Sequence, residues 1–147
     1  MAFYDDVWST KRFRLGTRKW SPEGKCFVYL KGVASLAIED LVVYDDAYTA
    51  VRSVDGGDKS GACAVAMAAV DAATKFGWFQ IYGPGTVDSA TVAADKQLYL
   101  TSTAGRVDDA DNAGDAVIGL MSTAADTANS APCFLNYPFV NGGGAID

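Results

Sequence analysis

Phe76-Gly77-Trp78-Phe79-Gln80-Ile81-Tyr82-Gly83, running into Pro84-Gly85, is the longest aromatic stretch of the 147-residue chain. As an extended strand it puts Phe76, Trp78, Gln80 and Tyr82 on one face and Gly77, Phe79, Ile81 and Gly83 on the other. Both faces are largely apolar, so both need covering, by the chain's own core or by another subunit. A large aromatic side chain buries roughly 150–250 Å², which at about 25 cal/mol per Å² gives Trp78 a contribution of about 4–6 kcal/mol when fully buried. Phe76, Trp78, Phe79, Ile81 and Tyr82 are therefore the candidate core or subunit-interface residues, and Gly83-Pro84-Gly85 is expected to end the strand in a turn.

Working outward, short units with strand character recur. Cys26–Leu30 reads as a strand. Val33–Tyr44 reads as two short strands broken at Glu39-Asp40, a solvated bend, with a helical turn as the alternative. Ala47–Val54 follows. In Ala62–Val70, alternation sets Cys63, Val65 and Met67 against a face of alanines that lets a neighbour approach closely, so it is read as a strand despite the helical preference of alanine. Thr86–Ala93, Gln97–Thr101, Thr103–Val107, Ala116–Met121 and a last strand near Pro132–Val140 complete the series. Turn signals every 8–12 residues, 15 glycines and many Ala and Val residues predict an all-β domain, with at most a short helix, built as an antiparallel sandwich or barrel. Residues 25–140 form that domain, 1–24 an extended N-terminal arm ending in the turn Ser21-Pro22-Glu23-Gly24, and 141–147 a flexible tail.

Charge is unevenly placed. Residues 1–31 hold seven basic and three acidic side chains, a net +4, and the remainder holds five basic and fifteen acidic, a net −10. The arm interleaves Phe3, Tyr4, Trp8, Phe13 and Trp20 with its cations. Such interleaving suits a single-stranded nucleic-acid platform, but a −10 body repels phosphate, and an arm that packs its rings on protein is the preferred reading.

The chain contains no histidine, which removes the usual general base and the usual zinc and triad arrangements. Lys59-Ser60 lies in the Gly-rich loop Asp55–Gly61, a poor mount for a nucleophile, and the loop lacks Walker A spacing. Asp109, Asp111 and Gly114 match three positions of a calcium loop, but Ala113 and Leu120 fail two others. Cys26, Cys63 and Cys133 are widely spaced and read as small core residues rather than a disulfide framework. No catalytic residue, metal or cofactor is expected. The longest apolar run, Ala62–Val70, is far short of the ~20 residues of a membrane-spanning helix. With no signal-like leader at the N-terminus, synthesis and assembly in the cytosol are expected.

Small-residue strands such as Ala116-Val117-Ile118-Gly119-Leu120-Met121, followed by a polar loop and a terminal hydrophobic strand, resemble the small capsid decoration, or cement, proteins of tailed bacteriophages over residues 61–140, and more weakly over 25–54. The resemblance implies a non-enzymatic virion protein on the capsid surface, which stabilises the mature shell, binds the major capsid protein and forms homo-oligomers, commonly trimers and sometimes dimers. Residues 1–24 lie outside the resemblance. As an attachment arm, Phe3, Tyr4, Trp8, Phe13 and Trp20 would be anchors and Arg12, Arg14, Arg18 and Lys19 would meet acidic capsid surface. Deleting residues 1–20 is then expected to abolish attachment and leave the body folded. A tail-tube or fibre-base subunit is the alternative, and a basic-armed nucleic-acid binder ranks behind it.

Overall fold

Alternate side chains of a strand face opposite ways, and here both sets find cover. The protein is described by a computed structural model covering residues 3–55, 60–111 and 116–141. Its elements are β1 (Val7–Trp8), β2 (Arg18–Trp20), β3 (Cys26–Lys31), β4 (Leu41–Tyr44), β5 (Ala50–Arg52), β6 (Ser60–Ala66), β7 (Phe76–Asp88), β8 (Gln97–Leu100), β9 (Val107–Asp108), β10 (Ala116–Ser122) and β11 (Ser130–Asn141). Among the described residues the only helical element is a single 3-10 turn, Phe3–Asp5. The all-β expectation holds. The eleven strands form one sheet with antiparallel ladders, ordered β2-β3-β7-β6-β11-β10-β8-β9, with β4 and β5 branching from β6 and β1 from β7. The sheet folds over itself like a sandwich but does not close into a barrel.

Three clusters of buried side chains show how it stacks. Phe27, Tyr29 and Trp78, on the outer face of β3 and the first half of β7, lie under Phe3, Tyr4, Trp8 and Leu15. The opposite face of the same strands sends Cys26, Val28, Leu30, Phe79 and Ile81 against Val42, Tyr44, Ala64 and Ala66 of β4 and β6. The far face of β4 and β6 sends Leu41, Val43, Cys63 and Val65 against Val87, Leu98, Leu100, Val117, Leu120, Cys133 and Leu135. Ala64 and Ala66 pack in one cluster with Phe79 and Ile81 while Cys63 and Val65 face the other way, as their alternation predicts, but the strand ends at Ala66, and Met67 joins the outer aromatic cluster.

Three expectations are corrected. The aromatic strand does not end at Gly83; β7 runs thirteen residues through Gly83-Pro84-Gly85 to Asp88. Its first half pairs with β3, and from Tyr82 onward it pairs with β11. At the change of partner the buried Gln80 amide donates to the carbonyls of Tyr82 (3.1 Å) and Pro84 (2.9 Å), so the side chain of the strand itself satisfies a bend that read as a turn. Second, Val33–Asp40 is a run of turns rather than a strand. Third, Asp40 is buried, not solvated: its Oδ2 accepts from Arg52 Nε and from the Ala37 N–H, both at 2.9 Å, which compensates its burial. The tail 142–147 and residues 56–59 of the Gly-rich loop lie outside the described residues.

Candidate partner-binding surface

The arm returns to its own sheet. Phe3 meets the rings of Phe27 and Trp78 edge-on, each at 5.5 Å, and Tyr4 stacks on Phe27 at 4.4 Å. Trp8 and Phe13 close on Tyr29 at 5.8 and 5.2 Å, and Phe13 reaches Trp78 at 5.2 Å. Strand pairing reinforces the rings: β1 joins β7 at Val7↔Gly77 and Trp8↔Phe76, and β2 joins β3. The Arg12 N–H donates to Tyr29 Oη, and Lys19 Nζ sits 4.3 Å above the Phe3 ring. Burial pushes the Tyr4 hydroxyl pKa up, helped by Glu23 and Asp5. Of the five aromatic anchor candidates, Phe3, Tyr4 and Trp8 are half-buried against the body, Phe13 is partly exposed, and Trp20 projects. Arg12, Arg14, Arg18 and Lys19 remain exposed.

The residues of 76–82 divide as their burial divides. Trp78, Phe79 and Ile81 are fully buried inside the one chain, and Phe76 and Tyr82 are half-buried. Phe76 lies flat on Tyr29 at 6.3 Å. Tyr82 begins a different surface. Its ring is 5.6 Å from Trp20, 5.5 Å from Phe134 and 5.3 Å from Tyr137. On β10 and β11, Ile118 stands opposite Phe139 and Met121 opposite Phe134. Trp20, Ile118, Met121, Tyr137 and Phe139 are each 45–54% exposed. The outcome is an apolar stripe across β2, β7, β11 and β10, and Arg18 stands over its Tyr137 ring at 5.9 Å. A hollow of about 240 Å³ opens beside it, lined by Gln97, Gly119, Leu120, Met121, Phe134 and Asn136. The Gln97 amide braces that hollow by donating to the Val117 carbonyl at 2.7 Å and the Leu120 carbonyl at 3.2 Å.

Sequence reasoning names Trp20 and Tyr82 but misses the β10–β11 part of the stripe. Strict alternation would turn Tyr137 and Phe139 to the same face as Leu135. The register breaks between Ile118 and Leu120, and Tyr137 has a φ of 48°, so the outward face passes to Phe134, Tyr137 and Phe139. Pro138 inside a strand is the signal that could have announced this irregularity.

The other candidates disperse. Asp109 Oδ2 accepts from the Ala93 N–H and Asp108 Oδ1 from the Ala110 N–H; Asp111 is exposed, and Ala113 and Gly114 lie outside the described residues, as does Lys59. Burial pushes the Cys63 and Cys133 thiols up to about 12, and the three cysteines are free and buried among apolar side chains. Among the described residues no group of three or more His, Cys, Asp or Glu side chains gathers as a metal site, and no helix is long and apolar enough to cross a membrane. Fold and surface together define an all-β, sandwich-like chain with an exposed apolar stripe. No family model, curated protein or solved structure matches it significantly.

Proposed function

We propose that this chain is a non-enzymatic structural protein of a phage virion that binds the outer surface of the capsid, with the major capsid protein as its partner, and stabilises the mature shell. The observation that carries the reading is the stripe of Trp20, Tyr82, Phe134, Tyr137, Phe139, Ile118 and Met121, on a body that buries most of its other large apolar side chains. Exposed apolar patches of a few hundred Å² or more mark interaction surfaces on folded proteins, and Trp and Tyr are the residue types that dominate binding energy once water is excluded. Most of the stripe lies on β7, β11 and β10, strands with hydrogen-bonded neighbours on both sides, so docking costs little ordering.

This assigns the anchoring role mainly to the stripe. In the arm's set only Trp20 belongs to it, while the exposed cations Arg12, Arg14, Arg18 and Lys19 remain placed to meet acidic surface. Homo-oligomer formation and residence on the virion belong to the same proposal. Quantitative mass spectrometry of purified particles tests it by counting this chain against the major capsid protein. A ratio of the order of the shell's lattice sites is expected. A few to some dozens of copies would move the assignment to a tail-tube or fibre-base subunit, and absence from the particle would overturn it.

A further inference from the structure

We propose that β2 is an acceptor edge that takes an extended acidic segment of a partner protein as an added strand. The proposal rests on the shell-binding reading only for the source of that segment, the capsid protein; the chemistry of the edge stands apart from it.

β2 ends the strand order of the sheet, and Arg18, Lys19 and Trp20 are all exposed. Its hydrogen bonds to β3 alternate. The Thr17 carbonyl accepts the Tyr29 N–H at 2.9 Å, and the Ser21 N–H donates to the Lys25 carbonyl at 2.8 Å. Those two bonds, with the pairs Arg18↔Val28, Lys19↔Phe27 and Trp20↔Cys26, make Thr17, Lys19 and Ser21 the positions bonded to β3. The N–H and C=O groups of Arg18 and Trp20 therefore point away from the sheet, two donors and two acceptors roughly 7 Å apart along the edge. That is the spacing an added strand requires, and main-chain bonds of this kind supply affinity in strand addition.

Side chains decide which strand is admitted. Residues 11–25 carry Lys11, Arg12, Arg14, Arg18, Lys19 and Lys25 against one carboxylate, Glu23. Among the described residues none of these six cations forms an ion pair. Arg18 and Trp20 share one face of β2, over Tyr137 and Tyr82, and Lys19 takes the other, over Phe3. A strand laid alongside meets a cation on each face and the Trp20 ring on one. It fits when it carries carboxylates and at least one apolar side chain. Cationic edge residues also repel wrong partners: a basic strand, or β2 of another copy, brings like charges together.

The full chain is titrated with a fluorescent acetyl-(Glu-Val)4-amide, with acetyl-(Lys-Val)4-amide and a (Glu-Val)4 peptide N-methylated at alternate residues as comparisons. Binding of the first peptide is expected, weakening at least tenfold from 20 mM to 300 mM salt and at least tenfold on N-methylation. The pair Arg18→Glu, Lys19→Glu is expected to lower affinity at least tenfold, with far-UV circular dichroism unchanged. Trp20→Pro, which removes an outward N–H together with the ring the added strand meets, at an edge where proline is tolerated, is expected to weaken it several-fold, and by more than Trp20→Ala, which removes the ring alone. Equal binding of the basic peptide, indifference to N-methylation, or unchanged affinity in both the charge-reversed pair and Trp20→Pro would overturn the proposal. So would self-association of the free protein that the charge-reversed pair abolishes, since the occupant would then be a second copy. None of these outcomes depends on the copy number in particles, so the edge and the virion assignment can fail separately.

Discussion

Gly105 shows how closely one residue is specified. Its φ is +81°, its N–H donates to the Ser53 carbonyl at 2.7 Å, and its carbonyl accepts the Leu41 N–H at 2.9 Å. A Cβ there would lie 2.6 Å from Asp40 Cγ and Oδ1. Asp40 cannot retreat, because Arg52 and the Ala37 N–H hold its carboxylate in a buried place. Gly105→Ala is therefore expected to cost roughly 2–4 kcal/mol, combining positive-φ strain with overpacking. Gly24, with φ +85° and open space among the described residues where a Cβ would stand, separates the two causes. Gly24→Ala should cost only about 1 kcal/mol. Urea denaturation of both variants checks this, and equal midpoints would show that crowding against Asp40 contributes nothing. None of it was legible in Thr103-Ala104-Gly105-Arg106-Val107, because the partner carboxylate is 65 positions away and read as a solvated bend. A carboxylate's neighbours across the fold do not register in local composition.

At the scale of elements, the arm changes meaning between sequence and structure. Its aromatic content and lack of period predict a segment that does not fold alone; in the structure its rings pack on Phe27, Tyr29 and Trp78 and its two short strands extend the sheet. Removing residues 1–20, expected to leave the body folded, would take this cover from the body's rings. Deleting residues 1–15 removes Phe3, Tyr4, Trp8, Phe13 and Leu15, and three large rings lose their cover. A lower denaturation midpoint, binding of a hydrophobic dye and a red shift of Trp78 emission are expected; an unchanged midpoint would show that the ordering cost of the arm cancels its burial. Among the described residues the Trp78 indole N–H, buried beneath this cover, has no hydrogen-bond partner. Where alternation is regular the sequence reads correctly: β3, β6, β8 and β10 fall within a few residues of their expected places. Where a side chain must settle the backbone, as Gln80 does inside β7 or the irregularity at Tyr137 does inside β11, periodicity alone misplaces ends and faces.

Across the whole molecule the two deepest thiols tie stability to alkaline pH. Cys63 and Cys133 are pushed from 9.0 to about 12 by burial. The folded chain therefore keeps protons that the unfolded chain releases above pH 9. Their contribution is complete below pH 9 and declines as pH rises toward 12, by about 1.4 kcal/mol per unit for each thiol. Denaturation midpoints measured at pH 8, 9.5 and 10.5 should fall, and Cys63→Ala with Cys133→Ala should flatten the decline; an unaltered slope in the double variant would exclude these thiols as its source. Fold class was the most legible property, because alternating apolar residues and recurrent turns report it from local sequence. The stripe was the least, because it is assembled from four strands whose neighbourhood only the completed sheet creates.

That completion has an order in time. β11 is the latest-made of the eleven strands, yet it pairs with β6, β7 and β10 near the middle of the sheet. Until Ser130–Asn141 leaves the ribosome, β6 and the second half of β7 present bare edges and the cluster of Leu98, Val117 and Leu120 lacks the wall that Ala131, Cys133 and Leu135 supply. A nascent chain stalled before residue 130 is an open sheet, exposed to aggregation for as long as translation lasts, and closure joins segments more than seventy residues apart in one slow, non-local step.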